Sequence, residues 1–141
     1  MTDKVITTVN QALIDDAGLA ALLSKNSFGD SAVYESWAER ESTFPYIVLH
    51  WNIYRTEHWA KKDGELDVDI FTPGPSTILA ENIQTRVEEV LDRQLFESNE
   101  SGPIRVYLNN ATIVPDEEEV VHMIISFSIL FWRKEFIQQL V

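Results

Sequence analysis

Glu65, Asp67 and Asp69 alternate with Leu66, Val68 and Ile70. In a strand, that spacing puts three carboxylates on one face, successive members about 7 Å apart. Such a stripe can hold a hard cation, Mg²⁺ or Ca²⁺, if other oxygen ligands converge on it. Any strand with one face toward water produces the same pattern, and carboxylates in a row point parallel rather than at one centre. The expectation is therefore no metal and no cofactor. The three histidines, His50, His58 and His122, offer no His-x-x-x-His or His-Glu-x-x-His pair of the kind that holds catalytic zinc on a helix. His50 and His122 both fall within strand-like alternation and read as packed or hydrogen-bonded side chains. With no cysteine anywhere, disulfides, zinc knuckles and thiol nucleophiles are excluded.

Two further segments resemble sites on a few letters. Gly29-Asp30-Ser31 is similar to the opening block of a family of serine esterases, but no Asp-x-x-His block stands near the C-terminus to supply a base. A turn after the first helices explains the same three residues. Pro73-Gly74-Pro75-Ser76 precedes a helix as a phosphate cradle does, yet lacks the glycines and lysine of such a loop, and its two prolines remove N–H donors. Asn99-Glu100-Ser101 and Asn110-Ala111-Thr112 satisfy the glycosylation sequon, which has no role in a chain expected to remain in the cytoplasm of its host. No catalytic residue is expected, and the chain is expected not to be an enzyme.

The elements that would position these residues change period along the chain. Val5, Ile6, Val9, Ala12, Leu13, Leu19, Ala20, Leu22 and Leu23 recur at helical spacing. A break near Asp15-Asp16-Ala17-Gly18 divides them, with Asp16 placed to cap the second helix. Asn26 to Asp30 reads as a turn, and Ser31 to Ser36 as a short strand around Val33-Tyr34. Beyond Pro45 the period becomes two: Ile47, Leu49, Trp51 and Ile53 share one face, and Tyr46, Val48, His50, Asn52 and Tyr54 the other. The carboxylate strand follows, joined through Lys61-Lys62-Asp63-Gly64, in which Asp63-Gly64 is a hairpin signal. Ser76 or Thr77 opens an amphipathic helix with Leu79, Ile83, Val87, Val90 and Leu91 as its stripe. Gln94 to Gly102 reads as a polar loop, Ile104 to Leu108 as a strand and Pro115 to Glu119 as an acidic connector. The longest alternating run is Val121 to Phe131, with His122, Ser126 and Ser128 on its other face. This order predicts one α+β domain over residues 1–141, an antiparallel-rich mixed sheet with helices packed mainly on one face.

At 141 residues, 45% of them hydrophobic, the chain can build a core without metal or disulfide. Its net charge of −12 repels phosphate backbones and anionic bilayers, which argues against nucleic-acid and membrane partners. Four tryptophans divide into Trp51 and Trp132, which fit strand faces, and Trp37 and Trp59, which lie in or beside loops. Exposed amphipathic rings of that kind mark contact surface. Phe136, Ile137, Leu140 and Val141 place four apolar residues at helical spacing in a terminal tail.

Several features in fixed order carry a family resemblance. Ala12-Leu13 and Asp16 precede Leu19 and Leu22-Leu23. Gly29-Asp30 leads into Val33-Tyr34, and Phe44-Pro45-Tyr46-Ile47-Val48-Leu49 opens a strand. Leu66-Asp67-Val68-Asp69-Ile70-Phe71 then runs into the amphipathic helix. Over about residues 5 to 95 this order resembles the tail-completion and tail-terminator proteins of long-tailed bacteriophages. The resemblance implies a non-enzymatic virion component of the tail or neck, assembled in the bacterial cytoplasm. It would form a homo-oligomeric ring, typically a hexamer, seated on the last ring of tail-tube protein and facing the head connector. Its contact surfaces are expected at Trp37, Trp59, Lys61, Lys62, Phe136, Ile137, Leu140 and Val141. The rival readings are a neck or minor tail protein that binds as a monomer, and a small-molecule-binding or hydrolytic α+β domain that uses the Asp67/Asp69 face.

Overall fold

The helical period at the N-terminus resolves into α1 (Thr2–Ile14) and α2 (Ala17–Leu22) in a computed structural model that describes residues 2–40, 42–53, 61–97, 102–117 and 119–132. Asp16 caps α2 as expected, its carboxylate accepting the Leu19 N–H at 2.9 Å. The strands are β1 (Val33–Glu35), β2 (Tyr46–Ile53), β3 (Lys61–Pro73), β4 (Leu95–Phe96), β5 (Ile104–Glu117) and β6 (Val120–Trp132), with α3 (Ile78–Leu91) between β3 and β4. One sheet takes all six strands in the order β1-β2-β3-β6-β5-β4. Only the β1–β2 pair is parallel; the others are antiparallel. The architecture is the α+β arrangement expected.

The core lies between the helices and one sheet face. Val5, Val9 and Leu13 of α1, Leu19 of α2 and Ile83, Val87 and Leu91 of α3 meet Ile47 and Leu49, Leu66, Val68 and Ile70, and the odd-numbered residues from Met123 to Phe131. Phe127 and Phe131 are fully buried. Truncating either to alanine is the kind of change that costs about 3–5 kcal/mol. Asn10, buried on α1, accepts the Trp51 indole N–H at 2.9 Å, which agrees with a near-core place for Trp51.

Three expectations are corrected. Asp63-Gly64 is not a hairpin turn: both residues lie inside β3, and Gly64 pairs with Ile53 on one side and Ile129 on the other. A Cβ there would come within 2.7 Å of Ile53 Cδ1 and 3.1 Å of the Asn52 carbonyl oxygen, so the glycine permits a close strand approach. The polar loop after α3 contains β4, a two-residue strand too short for any periodicity to reveal. The acidic connector is largely strand, because β5 continues through Pro115 to Glu117, which pairs with Val120. Thirteen residues of β6 template that extension and override the low strand propensity of its acids. Register shifts between Leu108 and Asn110 and between Val114 and Glu117 absorb the misfit, the second around Pro115, which has no N–H to donate.

The helical layer is pinned by one half-buried carboxylate. Arg86 of α3 reaches Asp16 with two guanidinium bonds, Nε to Oδ2 at 2.8 Å and Nη2 to Oδ1 at 2.7 Å. A Cβ on Gly18 would lie 2.5 Å from Arg86 Nε, so glycine clears the path for this fork. The fork and the Leu19 N–H hold the Asp16 carboxyl below the usual carboxylate range, against the opposing effect of its burial. The stability this group contributes is therefore complete above its unfolded value near 3.8 and is lost as pH falls through the lower folded value. Asp16→Ala should cost about 1 kcal/mol near neutral pH through the missing cap alone. It should also flatten the acid limb of the urea midpoint plotted against pH; an acid limb identical to wild type would contradict this assignment.

Candidate functional site

Alternation places the second sheet face, the one away from the helices, under the even-numbered residues of β2 and β6 and the odd-numbered residues of β3. Registry then lines these up in rows across the strands: Tyr46, Phe71 and His122 in one, Val48, Asp69 and Ile124 in the next, and His50, Asp67 and Ser126 in a third. A fourth row holds Asn52, Glu65 and Ser128.

The first row is a stack of rings. His122 lies over Phe71 with centroids 4.3 Å apart, and Phe71 over Tyr46 at 5.0 Å. Phe44 continues the stack at 5.4 Å from Tyr46, while Tyr34 of β1 meets Tyr46 edge-on at 6.0 Å. The spacing is close to that of neighbouring strands, so flat rings directly opposite one another stack. Burial raises the Tyr46 phenol above its ordinary pKa, and Tyr34 beside it adds to the effect.

The next two rows carry the carboxylates. Asp69 is buried; its Oδ2 lies 3.2 Å from His122 Nε2 and 3.5 Å from His50 Nε2. The shorter contact is a hydrogen bond between the Asp69 carboxyl and the His122 ring. Asp67 accepts the Ser126 hydroxyl at 2.8 Å, and Ser128 donates to Asn109 at 3.0 Å. The Ser126 hydroxyl is thus directed at a carboxylate rather than at an imidazole. Ser31 is buried beside its bridge to Lys25, on the β1 side of the sheet and three strands from His122, a separation of roughly 14 Å. Among the described residues, no group of three or more His, Asp or Glu side chains is arranged to hold a metal ion.

The expected contact residues fare unequally. Trp37 follows β1 directly and is 83% exposed, turned out after Ser36, whose φ of 68° lies in the left-handed region. Lys61 and Lys62 open β3 opposite Trp132 and Phe131. Trp59, Phe136, Ile137, Leu140 and Val141 lie outside the described residues. Sequence reasoning missed the ring stack and the Asp69–His122 pair. Face membership was legible, with Tyr46 and His50 set apart from Ile47 and Leu49; the registry that brings β2, β3 and β6 together was not.

No protein family model matches the chain, and no curated protein matches its sequence. Solved structures do match. A chain from the virion of a native gene transfer agent particle superposes with a TM-score of 0.72 at 19% identity, covering 89% of this chain and 92% of that one. A second solved chain has a TM-score of 0.67 at 14% identity, covering 93% and 95%. The likeness is one of fold. It embraces both helical and strand layers, since nine-tenths of each chain takes part. No helix among the described residues is long and apolar enough to cross a membrane.

The carboxylate face generates its own test. Asp67 and Asp69 each already spend an oxygen on a neighbour, so calorimetry with Mg²⁺ and Ca²⁺ should show no saturable binding tighter than about 10 µM, the range of dedicated calcium sites. Tight binding that disappears in Asp67→Asn would mean that further ligands complete a cation site on this face.

Proposed function

We propose that this chain is a structural virion protein that caps the tail tube and joins the tail to the head connector, acting as a ring of protomers. The observation that carries this reading is the near full-length fold shared with a chain from a gene transfer agent virion. The order of segments over about residues 5 to 95 that resembles phage tail-terminator proteins supports it. A ring needs two different contact faces on each protomer and no catalytic group. The site geometry suits that requirement: Asp67 and Asp69 on the open face are bonded to Ser126 and His122, and large apolar side chains stand exposed elsewhere.

In this reading the protein works by shape and contact, without enzyme activity or cofactor. Its partners are further copies of itself, typically six in a ring, with the tail-tube protein on one side and the head connector on the other. Nucleic acid and membrane play no part, and the protein resides in the tail or neck of the particle after assembly in the bacterial cytoplasm.

Protomers carrying −12 each repel one another, so association should strengthen as salt shortens the Debye length, near 8 Å at about 0.15 M ionic strength. Light scattering across salt and protein concentration should reveal a species near six times the 16.2 kDa protomer. Deleting residues 135–141 should leave a folded protomer, because α3 and β6 end before them, while weakening association. A protein that stays monomeric at high salt and concentration but binds particles would instead be a neck or minor tail protein. One that does neither and gains thermal stability with a small molecule would be a ligand-binding domain.

A further inference from the structure

The outer edge of β5 is open over a short window. β4 pairs only with Ile104 and Arg105. Just beyond, Val106 bonds through both of its backbone groups to Arg93 and Gln94, and the Leu108 N–H is taken by the Asp92 carboxylate. From Asn110 to Val114, β5 has β6 on one side and, among the described residues, no strand on the other. Every residue from Asn109 to Ile113 is exposed, although Ala111 and Ile113 lie on the opposite sheet face from Asn110 and Thr112. The window is thus open on both faces as well as along its edge.

Registry identifies the backbone groups left free. In an antiparallel pair, residues bonded to the neighbouring strand alternate with residues whose N–H and C=O point away from it. Val106 and Leu108 point away from β6, as their bonds to Arg93, Gln94 and Asp92 require. The register shift between Leu108 and Asn110 adds one residue to β5, which moves the outward set to Ala111 and Ile113. Their two donors and two acceptors form a template for a further strand, and no residue from Asn109 to Val114 carries the charge that commonly guards such an edge. The segment Asp92 to Gln94 closes the window at one end. Pro115, which has no N–H to give, closes it at the other.

We propose that this window pairs antiparallel with the same window of a second copy, about a twofold axis at Thr112. In that register Ala111 lies opposite Ile113 of the second copy and Ile113 opposite its Ala111, so every free donor and acceptor is used and a small side chain meets a large one twice. Thr112 meets Thr112, a favourable cross-strand pair. Centring the pair on Ile113 would set Ala111 against Pro115, and centring it on Ala111 would set Ile113 against the irregularity at Asn109.

Charge selects the same direction. At the start of the edge Arg93 and Arg105 are exposed and form no ion pair among the described residues, beside Glu97 and an Asp92 already engaged by Leu108. At its end stand Asp116 and Glu117, with Glu119 just beyond. Antiparallel pairing carries the acidic end of each copy toward the two arginines of the other, whereas parallel pairing would set the acids of both copies side by side. One patch that complements itself is what a twofold contact requires. The contact differs from the head-to-tail contacts of a ring and does not rest on that reading.

The chain has no cysteine, so one introduced thiol reports one contact. At the twofold axis the two Thr112 residues form a non-hydrogen-bonded pair, whose Cα atoms lie about 4.5 Å apart, within the reach of a disulfide. In full-length protein treated with the oxidant diamide, Thr112→Cys should give a covalent homodimer at least about tenfold faster than Tyr107→Cys, because pairing holds the axial thiols at a raised effective concentration. Tyr107 is exposed on the same face but lies away from the axis. Adding Ala111→Pro removes an outward donor and no bond to β6, and should slow the Thr112→Cys link to the control rate while circular dichroism stays that of the wild type. Ile113→Pro serves in its place if that variant does not fold. Equal rates for the two thiols, or a Thr112→Cys link unaffected by the proline, would overturn the twofold pairing. Both readouts are independent of whether the chain also closes into rings, which light scattering reports separately.

Discussion

The register of β3 between β2 and β6 is the constraint on which the rest of the molecule depends. Leu66, Val68 and Ile70 are fully buried beneath the helices, while Glu65, Asp67 and Asp69 lie on the other face of the same strand. A slip of one residue would exchange the two sets and drive carboxylates under α3. Each would then be a desolvated charge without a partner, costing several kcal/mol. The acidic stripe thus has a physical role without any ligand: it makes the wrong registry expensive. Gly64 contributes by letting Ile53 approach closely, and Ser126 and His122 by giving Asp67 and Asp69 hydrogen-bonding partners in the native registry alone.

Once β3 is placed, the remaining parts have few choices. The long β5–β6 pair extends the sheet on one side, and β2 with parallel β1 extends it on the other. The helices cover one face, clamped by Arg86 across Asp16. On the second face the rings stack, and Asp67 and Asp69 are hydrogen-bonded to Ser126 and His122. What is left to meet other molecules is the perimeter, where exposed aromatic and aliphatic side chains collect. The proposed ring would draw its contacts from this perimeter.

Much of this was legible in the residues. Period and capping chemistry located α1, α2, α3 and the central strands, and Asp16 was recognisable as a cap because an acid sat just before a short apolar helical run. The errors share a cause. Asp63-Gly64 carries the local signature of a turn, but the cross-strand approach of Ile53 explains the glycine, and nothing local encodes that approach. Pro115 to Glu119 has the composition of a loop, yet pairing with β6 extends the strand to Glu117. The Arg86–Asp16 clamp spans 70 residues, and the ring stack joins β1, β2, β3 and β6, so both arise only from registry. The exposure of Trp37 was recognisable from its place beside a loop. That of Ile113 was not, because it follows from where β4 stops.

The central claim, that this chain ends the tail tube and couples it to the head, is tested most directly in the cell that produces the particle. With the gene deleted, electron microscopy of the lysate should show tubes of uncontrolled length and heads without attached tails, and supplying the intact chain in trans should restore joined particles. Tailed particles of normal length and number in the deletion strain would contradict the account.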